Sequence, residues 1–195
     1  LEEIHRRNSI GGKRNLNELV SELGIEIPVG FESEEEYVMH LVRDGYHGFK
    51  PEHLAPYDCV MDTLKELRRR GLKLGIITDG NAHTQKRKNA ALGIAGLFDS
   101  IVYSAELNGH GEPISKGSSS LPYLTALNSI GLARGENSIM VGDNPLTDFQ
   151  FANRLGMTTV RVMTGEYSSV MPATQEQHPN YTVKDISGIL QIIKA

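Results

Sequence analysis

Two short stretches of this 195-residue chain place polar residues directly after apolar runs. The first, Thr78-Asp79-Gly80, offers a hydroxyl and several backbone N–H groups, which suit an anion such as a phosphoryl group. The second contains Asp143, with Asp148 about one helical turn further on. Two carboxylates at this spacing can share Mg²⁺, which takes few protein oxygens and keeps its waters. The ordinary alternative is that Thr78 and Asp143 each cap the helix that follows.

A third candidate, Lys116, lies in a loop between these two stretches. A lysine that reaches an anionic site stabilises the charge of a phosphoryl group during transfer. The alternative is an exposed surface lysine. The serines that follow at 118–120 are interpreted as a flexible loop, with contacts to an anion as the second possibility.

The pattern after Tyr57 predicts alternating helices and strands. The predicted strands are 72–77, 100–103, 138–141, 158–162 and 181–183, and the predicted helices are 60–70, 84–92, 122–130, 146–155 and a last one from Ser187. Such alternation implies right-handed crossovers and a parallel sheet covered on both faces, an α/β fold. Ligands of such sheets bind at the carboxyl ends of the strands, where the three candidate stretches lie.

The N-terminal part of the chain has the periodicity of helices and contains no apolar run typical of a strand. A helix is predicted over 15–23, and a second from Ser33, with Glu36 at the spacing of a capping box. We therefore predict two domains: an all-helical subdomain over residues 1–55 and an α/β core over residues 56–195.

Composition excludes several classes of partner. The net charge of −4 argues against nucleic acid and anionic membranes. The chain contains no run of about 18 apolar residues, so no membrane span is predicted. No glycine-rich nucleotide-binding motif occurs either. Cys59 is the only cysteine, so an intrachain disulfide is excluded and a reducing, cytoplasmic location is expected.

The order of the three motifs is more specific than any one of them. A threonine at a strand end, a loop lysine and Gly-Asp-x-x-x-x-Asp over 142–148 together resemble the haloacid dehalogenase superfamily. The resemblance extends over nearly the whole chain and implies a Rossmann-like parallel sheet, with residues 1–55 similar to the small helical cap of many members. The paired aspartates favour the Mg²⁺-dependent phosphatase branch over the metal-free dehalogenases.

The resemblance implies a role for each candidate residue. Thr78, with the Asp79-Gly80 turn, would bind the phosphoryl group of a small phosphorylated metabolite, and Lys116 would neutralise its charge. Asp143 would hold Mg²⁺, and Asp148 would support the metal site. Relatives usually have proline after the lysine, where this chain has Gly117-Ser118.

The family's nucleophile is implied in an Asp-x-Asp motif at the end of a first strand, ahead of the cap. The early aspartates here, Asp44, Asp58 and Asp62, lack that context, and the last two are interpreted as residues of a helix start. We expect an N-terminal segment outside these 195 residues, or another chain, to supply the strand between the Thr78 and Asp143 strands. The 195 residues by themselves are expected to be inactive.

Two functions of different classes follow. The first is a Mg²⁺-dependent phosphatase that works through an aspartyl-phosphate intermediate. The second is a catalytically inactive binding or regulatory domain of the same fold within a larger protein. A receiver-type domain fits less well, because it also needs an early acidic pair.

Overall fold

The computed structural model describes residues 24, 26, 28–40, 54–107 and 114–193. Two compact units divide the chain, Leu1–Pro51 and Glu52–Ala195. The helix predicted over 15–23 lies outside the described residues. The assignment of residues 1–55 as a cap stays a prediction.

In the first unit, the described helix is α1, Glu34–His40. The Ser33 hydroxyl oxygen accepts the Glu36 N–H at 3.1 Å, so the predicted helix start is confirmed. The Glu36 carboxylate accepts the N–H of Glu32 at 2.6 Å, which satisfies a second donor at this helix end. The Phe31 ring packs on Tyr37, with centroids 5.0 Å apart.

The second unit has the predicted alternation of helices and parallel strands. Its helices are α2 Val60–Arg69, α3 Ala82–Ala91, α4 Leu121–Ser129, α5 Pro145–Asp148, α6 Gln150–Arg154 and α7 Ile189–Ile192; its strands are β1 Gly75–Thr78, β2 Ser100–Tyr103, β3 Ile139–Gly142, β4 Thr158–Val162 and β5 Tyr181–Val183. β1 pairs with β2, and β3, β4 and β5 pair in that order, all in parallel. The α/β class is confirmed.

The two sheets do not pair with each other. Among residues 54–107 and 114–193, β1 pairs only with β2, and β3 pairs only with β4 on one side, so each has an edge without a strand partner. Nevertheless, Ile77 of β1 and Met140 of β3 belong to one apolar cluster with Tyr123 and Leu127 of α4. Ile77 and Val141, which a doubly covered sheet would bury, are only partly buried.

A second apolar cluster lies around the middle strand of the larger sheet. Val160 of β4 is fully buried there, with Leu67 of α2 and Ile189 of α7. Leu64 of α2 is buried as well, one turn before Leu67. None of the helices in the described part of the chain is long and apolar enough to cross a bilayer.

The first strand begins three residues later than predicted. Leu72 donates its N–H to Leu67 O at 3.1 Å and so closes α2. The Leu74 N–H donates to the Asp99 carboxylate at 2.8 Å, and the Leu74 carbonyl accepts the Asp99 N–H. These backbone groups are occupied before β1 starts, although the apolar run itself begins at Leu72.

The helix predicted over 146–155 is wrong as a single element, because it breaks at Phe149 into α5 and α6. The Tyr123 hydroxyl lies 3.0 Å from the carbonyl oxygens of both Thr147 and Asp148. A side chain that donates a hydrogen bond to backbone carbonyl oxygens of a helix interrupts the ladder of backbone hydrogen bonds. The break comes from a distant residue and has no local sequence signal.

Leu67→Ala tests the second cluster. Its side chain is 4% exposed, so truncation should lower the free energy of unfolding by about 2–5 kcal/mol. Lys65→Ala, at an exposed position of the same helix, should change it by less than about 0.5 kcal/mol. Urea denaturation of both variants measures the difference, and equal effects would contradict this assignment of the core.

Candidate functional site

The backbone and side chain of Lys116 connect the carboxyl ends of the two sheets. Its N–H lies 3.1 and 3.2 Å from the two carboxylate oxygens of Asp79, directly after β1. Its Nζ donates to Asp148 Oδ1 at 2.7 Å, in the segment after β3. The alternative of an exposed lysine is wrong, since 17% of the side chain is exposed.

Asp148 is held by three donors and is almost completely buried. Besides Lys116 Nζ, the Asn144 N–H donates to Oδ2 at 3.0 Å, and the Thr147 hydroxyl donates to Oδ1 at 3.1 Å. Both carboxylate oxygens therefore have partners. Buried charges need such pairing, because an unpaired carboxylate is costly to desolvate.

Asp143 is half-buried and differs from Asp148 in its partners. The backbone N–H of Tyr167, in the loop after β4, lowers the pKa of this carboxyl group. A Cβ on Gly165 would lie 2.7 Å from Asp143 Oδ2, so only glycine permits this approach, and its φ of +106° also requires glycine. The helix cap next to Asp143 is Asn144, whose side chain accepts the Leu146 N–H at 3.1 Å. Capping therefore does not account for Asp143.

Thr78 ends β1, and Asp79 follows it, beside Gly80 in the left-handed region. Asn81, rather than Thr78, caps α3 by accepting the Thr84 N–H. The Thr78 hydroxyl lies 3.1 Å from Gln85 Oε1. The Asp79 carboxylate accepts the Ser104 hydroxyl at 2.6 Å as well as the Lys116 N–H.

The site contains three carboxylates and one ammonium group. Burial raises the pKa of Asp143, and the charge of Asp148 raises it further. Burial lowers the pKa of Lys116, but Asp148, Asp79 and Asp143 outweigh that effect and hold it above its usual range. The excess of negative charge favours a bound cation. In the described part of the chain, however, no group of three or more His, Cys, Asp or Glu side chains is arranged to hold a metal ion. Mg²⁺ takes few protein oxygens and keeps several waters, so it does not require such a group.

Sequence reasoning missed Tyr123, whose hydroxyl contacts the backbone of both the Lys116 loop and α5. The residue is fully buried in α4, and its hydroxyl lies 3.0 Å from the Thr147 and Asp148 carbonyls and 3.4 Å from that of Lys116. Burial raises its pKa far above the usual range, so the phenol keeps its proton as a donor. A tyrosine in an apolar helix pattern gives no signal of this role.

Gly117 occupies the position where relatives were expected to have proline. A Cβ there would lie 3.2 Å from Thr147 Cγ2, a tight contact. The departure from the family pattern thus coincides with close packing of the Lys116 loop against α5.

Comparison with known proteins gives a consistent result. A family described as haloacid dehalogenase-like hydrolase matches residues 13–162. The chain is 31% identical over 190 residues to a glyceraldehyde 3-phosphate phosphatase of Methanopyrus kandleri, over 93% of this chain and 78% of that protein. A protein of the same name from Methanocaldococcus jannaschii is 35% identical over 149 residues, covering 76% of this chain and 61% of its own.

Solved structures show the same fold. A predicted phosphoglycolate phosphatase from Haemophilus somnus 129pt matches with a TM-score of 0.69 and 23% identity, over 90% of this chain and 72% of that one. The chain thus spans 61% to 78% of the length of these three proteins.

Tyr123→Phe tests the role of the hydroxyl. Loss of the donor leaves buried carbonyl oxygens without a partner, and we expect a loss of about 1–3 kcal/mol in the free energy of unfolding. Tyr181→Phe, at a side chain that is 50% exposed, is the matched control and should be close to neutral. Equal stability of both variants in urea denaturation would contradict the assignment.

Lys116→Met tests the buried ion pair. Removal of the ammonium leaves Asp148 buried with an uncompensated charge, and the expected cost is about 3–5 kcal/mol in thermal or urea unfolding. Lys86→Met removes a solvent-exposed lysine paired with Glu106 and should change stability little. If the two variants unfold alike, the Lys116–Asp148 pair does not stabilise the site.

Proposed function

The chain belongs to the haloacid dehalogenase-like hydrolase family, and from this we propose that it is the body of a Mg²⁺-dependent phosphomonoester hydrolase. One observation carries the proposal: Lys116 binds the carboxylates of Asp79 and Asp148, and so brings both strand-end motifs to one place. The conjunction of lysine, threonine and paired aspartates at the carboxyl edge of parallel strands suits phosphoryl transfer.

In this proposal Asp143 and Asp148 have different roles. Both oxygens of Asp148 already accept hydrogen bonds, so Asp148 orients the site, and half-buried Asp143 is the direct ligand of the metal. When bound, Mg²⁺ would supply positive charge to the phosphoryl oxygens.

Lys116 and Thr78 handle the phosphoryl group itself. The ammonium stays protonated, because its carboxylate neighbours hold its pKa above the usual range, and so it offers a permanent positive charge. The Thr78 hydroxyl and the backbone N–H groups of the Asp79-Gly80 turn provide hydrogen-bond donors at the end of β1.

The nucleophile is a separate part of the proposal. An aspartate carboxylate attacks phosphorus, the bond to the alcohol oxygen breaks, and a second carboxyl group protonates the departing alcohol. Water then attacks the aspartyl-phosphate, giving inorganic phosphate and the free aspartate. We propose that a segment outside these 195 residues, or a second chain, carries this aspartate on a strand that pairs with the free edges of β1 and β3. Unpaired backbone groups of partly buried strands support this proposal.

The substrate proposed is a small phosphorylated metabolite in the cytoplasm. Two relatives at 31% and 35% identity are named glyceraldehyde 3-phosphate phosphatases, so a three-carbon phosphate ester is the first substrate to test.

The test compares residues 1–195 with the full natural gene product, using p-nitrophenyl phosphate and glyceraldehyde 3-phosphate with and without Mg²⁺. We expect turnover only in the full product and only with Mg²⁺. In that protein Asp143→Asn should reduce turnover on the order of 100-fold or more, the cost typical of losing stabilisation of transition-state charge. Asp62→Asn, at an exposed carboxylate of α2, should retain activity.

The outcomes separate the two functions. Activity in residues 1–195 alone would contradict the external nucleophile. Absence of turnover in a full product that lacks an upstream Asp-x-Asp motif would contradict the enzyme and favour the inactive binding or regulatory domain. With that motif present, absence of turnover on both esters would indicate a narrower substrate. Inorganic phosphate binding, measured by calorimetry, then tests that second function.

A further inference from the structure

Arg161 is a buried charge in the larger sheet that the proposed chemistry does not use. It lies on β4 opposite Gly142 of β3, one residue before Asp143. Only 6% of the residue is exposed. An apolar side chain would suffice to fill a sheet, and a buried guanidinium is costly to desolvate, so its partners indicate its purpose.

Those partners all belong to one loop. Arg161 Nη2 donates to the carbonyl oxygens of Tyr167 at 2.8 Å, Ser168 at 3.3 Å and Val170 at 2.6 Å. The Val170 N–H also donates to the Tyr167 carbonyl, which closes a turn. Arg161 Nε, also buried, has no hydrogen-bond partner. The guanidinium thus satisfies the inner carbonyls of the turn over 167–170.

The same loop contacts Asp143 on its other side. Tyr167, whose carbonyl accepts from Arg161, lies close enough to Asp143 for its backbone N–H to lower the pKa of that carboxyl group. Gly165 packs so closely on this carboxylate that a Cβ would collide with it. The loop therefore contacts the buried arginine through the carbonyls of the turn over 167–170 and the aspartate through Gly165.

We propose that Arg161 is a positioning residue, which holds the 163–170 loop against Asp143 and so sets the orientation of that carboxylate for Mg²⁺. The inference rests on the proposed function for the identity of the metal, but the mechanical link does not depend on it. Partners in the outer shell of a metal site orient the ligand, and their loss typically weakens metal binding by about 10–100-fold.

The test uses Arg161→Met and Arg161→Lys in the full natural gene product. Arg161→Met retains most of the side-chain length without the donors, and Arg161→Lys retains the charge and can reach fewer carbonyls. Arg154→Met, at an exposed arginine of α6 paired with Glu176, is the control. The measurements are hydrogen exchange of the Tyr167 amide without metal, the Mg²⁺ concentration for half-maximal turnover, and kcat at saturating Mg²⁺.

For Arg161→Met we expect faster exchange at Tyr167 and a rise of about tenfold or more in the half-saturating Mg²⁺ concentration. At saturating Mg²⁺, kcat should stay close to that of the unaltered protein. General destabilisation would not raise the half-saturating Mg²⁺ concentration while leaving kcat unchanged. Arg161→Lys should lie between, and Arg154→Met should match the unaltered protein. If Arg161→Met does not fold, Gly165→Ala attacks the same link from the Asp143 side and should weaken Mg²⁺ binding with the arginine intact.

Unchanged exchange at Tyr167 in folded Arg161→Met would overturn the inference, whatever the activity. Unchanged half-saturating Mg²⁺ with altered exchange would also overturn it, because the loop would then move without affecting the metal. Inactivity of the unaltered protein at every Mg²⁺ concentration would instead overturn the proposed function, while the exchange comparison still decides whether Arg161 holds the loop.

Discussion

The buried contact between Lys116 and Asp148 is the interaction on which the geometry of the site depends. Two parallel sheets end at this point, and no strand pairing joins them among residues 54–107 and 114–193. The lysine bridges the gap twice, with its backbone to Asp79 and with its ammonium to Asp148. Because the interior disfavours isolated charge, each of these groups constrains the other two.

The same constraint explains the layers of support around the site. Tyr123 ties the carbonyls of the lysine loop and of α5 to the apolar cluster below. Arg161 supports the opposite side by satisfying the carbonyls of the loop that contacts Asp143. Polar groups buried beside a charged site need defined partners, and the chain supplies them from elements distant in sequence.

A second physical theme is the excess of negative charge. Three carboxylates share one ammonium, and the raised pKa of Asp143 reflects its burial and its proximity to Asp148. A bound cation would offset the repulsion between the carboxylates of Asp143 and Asp148. That electrostatic imbalance, the free edges of β1 and β3, and the family of the chain all support the proposal that further components complete the site.

Local pattern was sufficient for much of the fold. The strands 100–103, 158–162 and 181–183 have the bounds that their sequences predict, and the helix start at Ser33 follows from its cap. Where prediction was wrong, a distant group had taken over the backbone. Asp99 holds Leu74 ahead of β1, and Tyr123 breaks the helix at Phe149.

The sequence by itself determined the parallel α/β class, the order of the motifs, and the strand ends at which the candidate residues lie. The order of the motifs indicates the chemistry, because the carboxyl ends of parallel strands lie at one edge of the sheet and residues that follow them come close together. Only the tertiary structure decided that Lys116 is buried, that Asn81 and Asn144 are the caps, and that Tyr123 and Arg161 support the site. These are matters of burial and of which donor reaches which acceptor, and residues far apart in the chain settle them through packing.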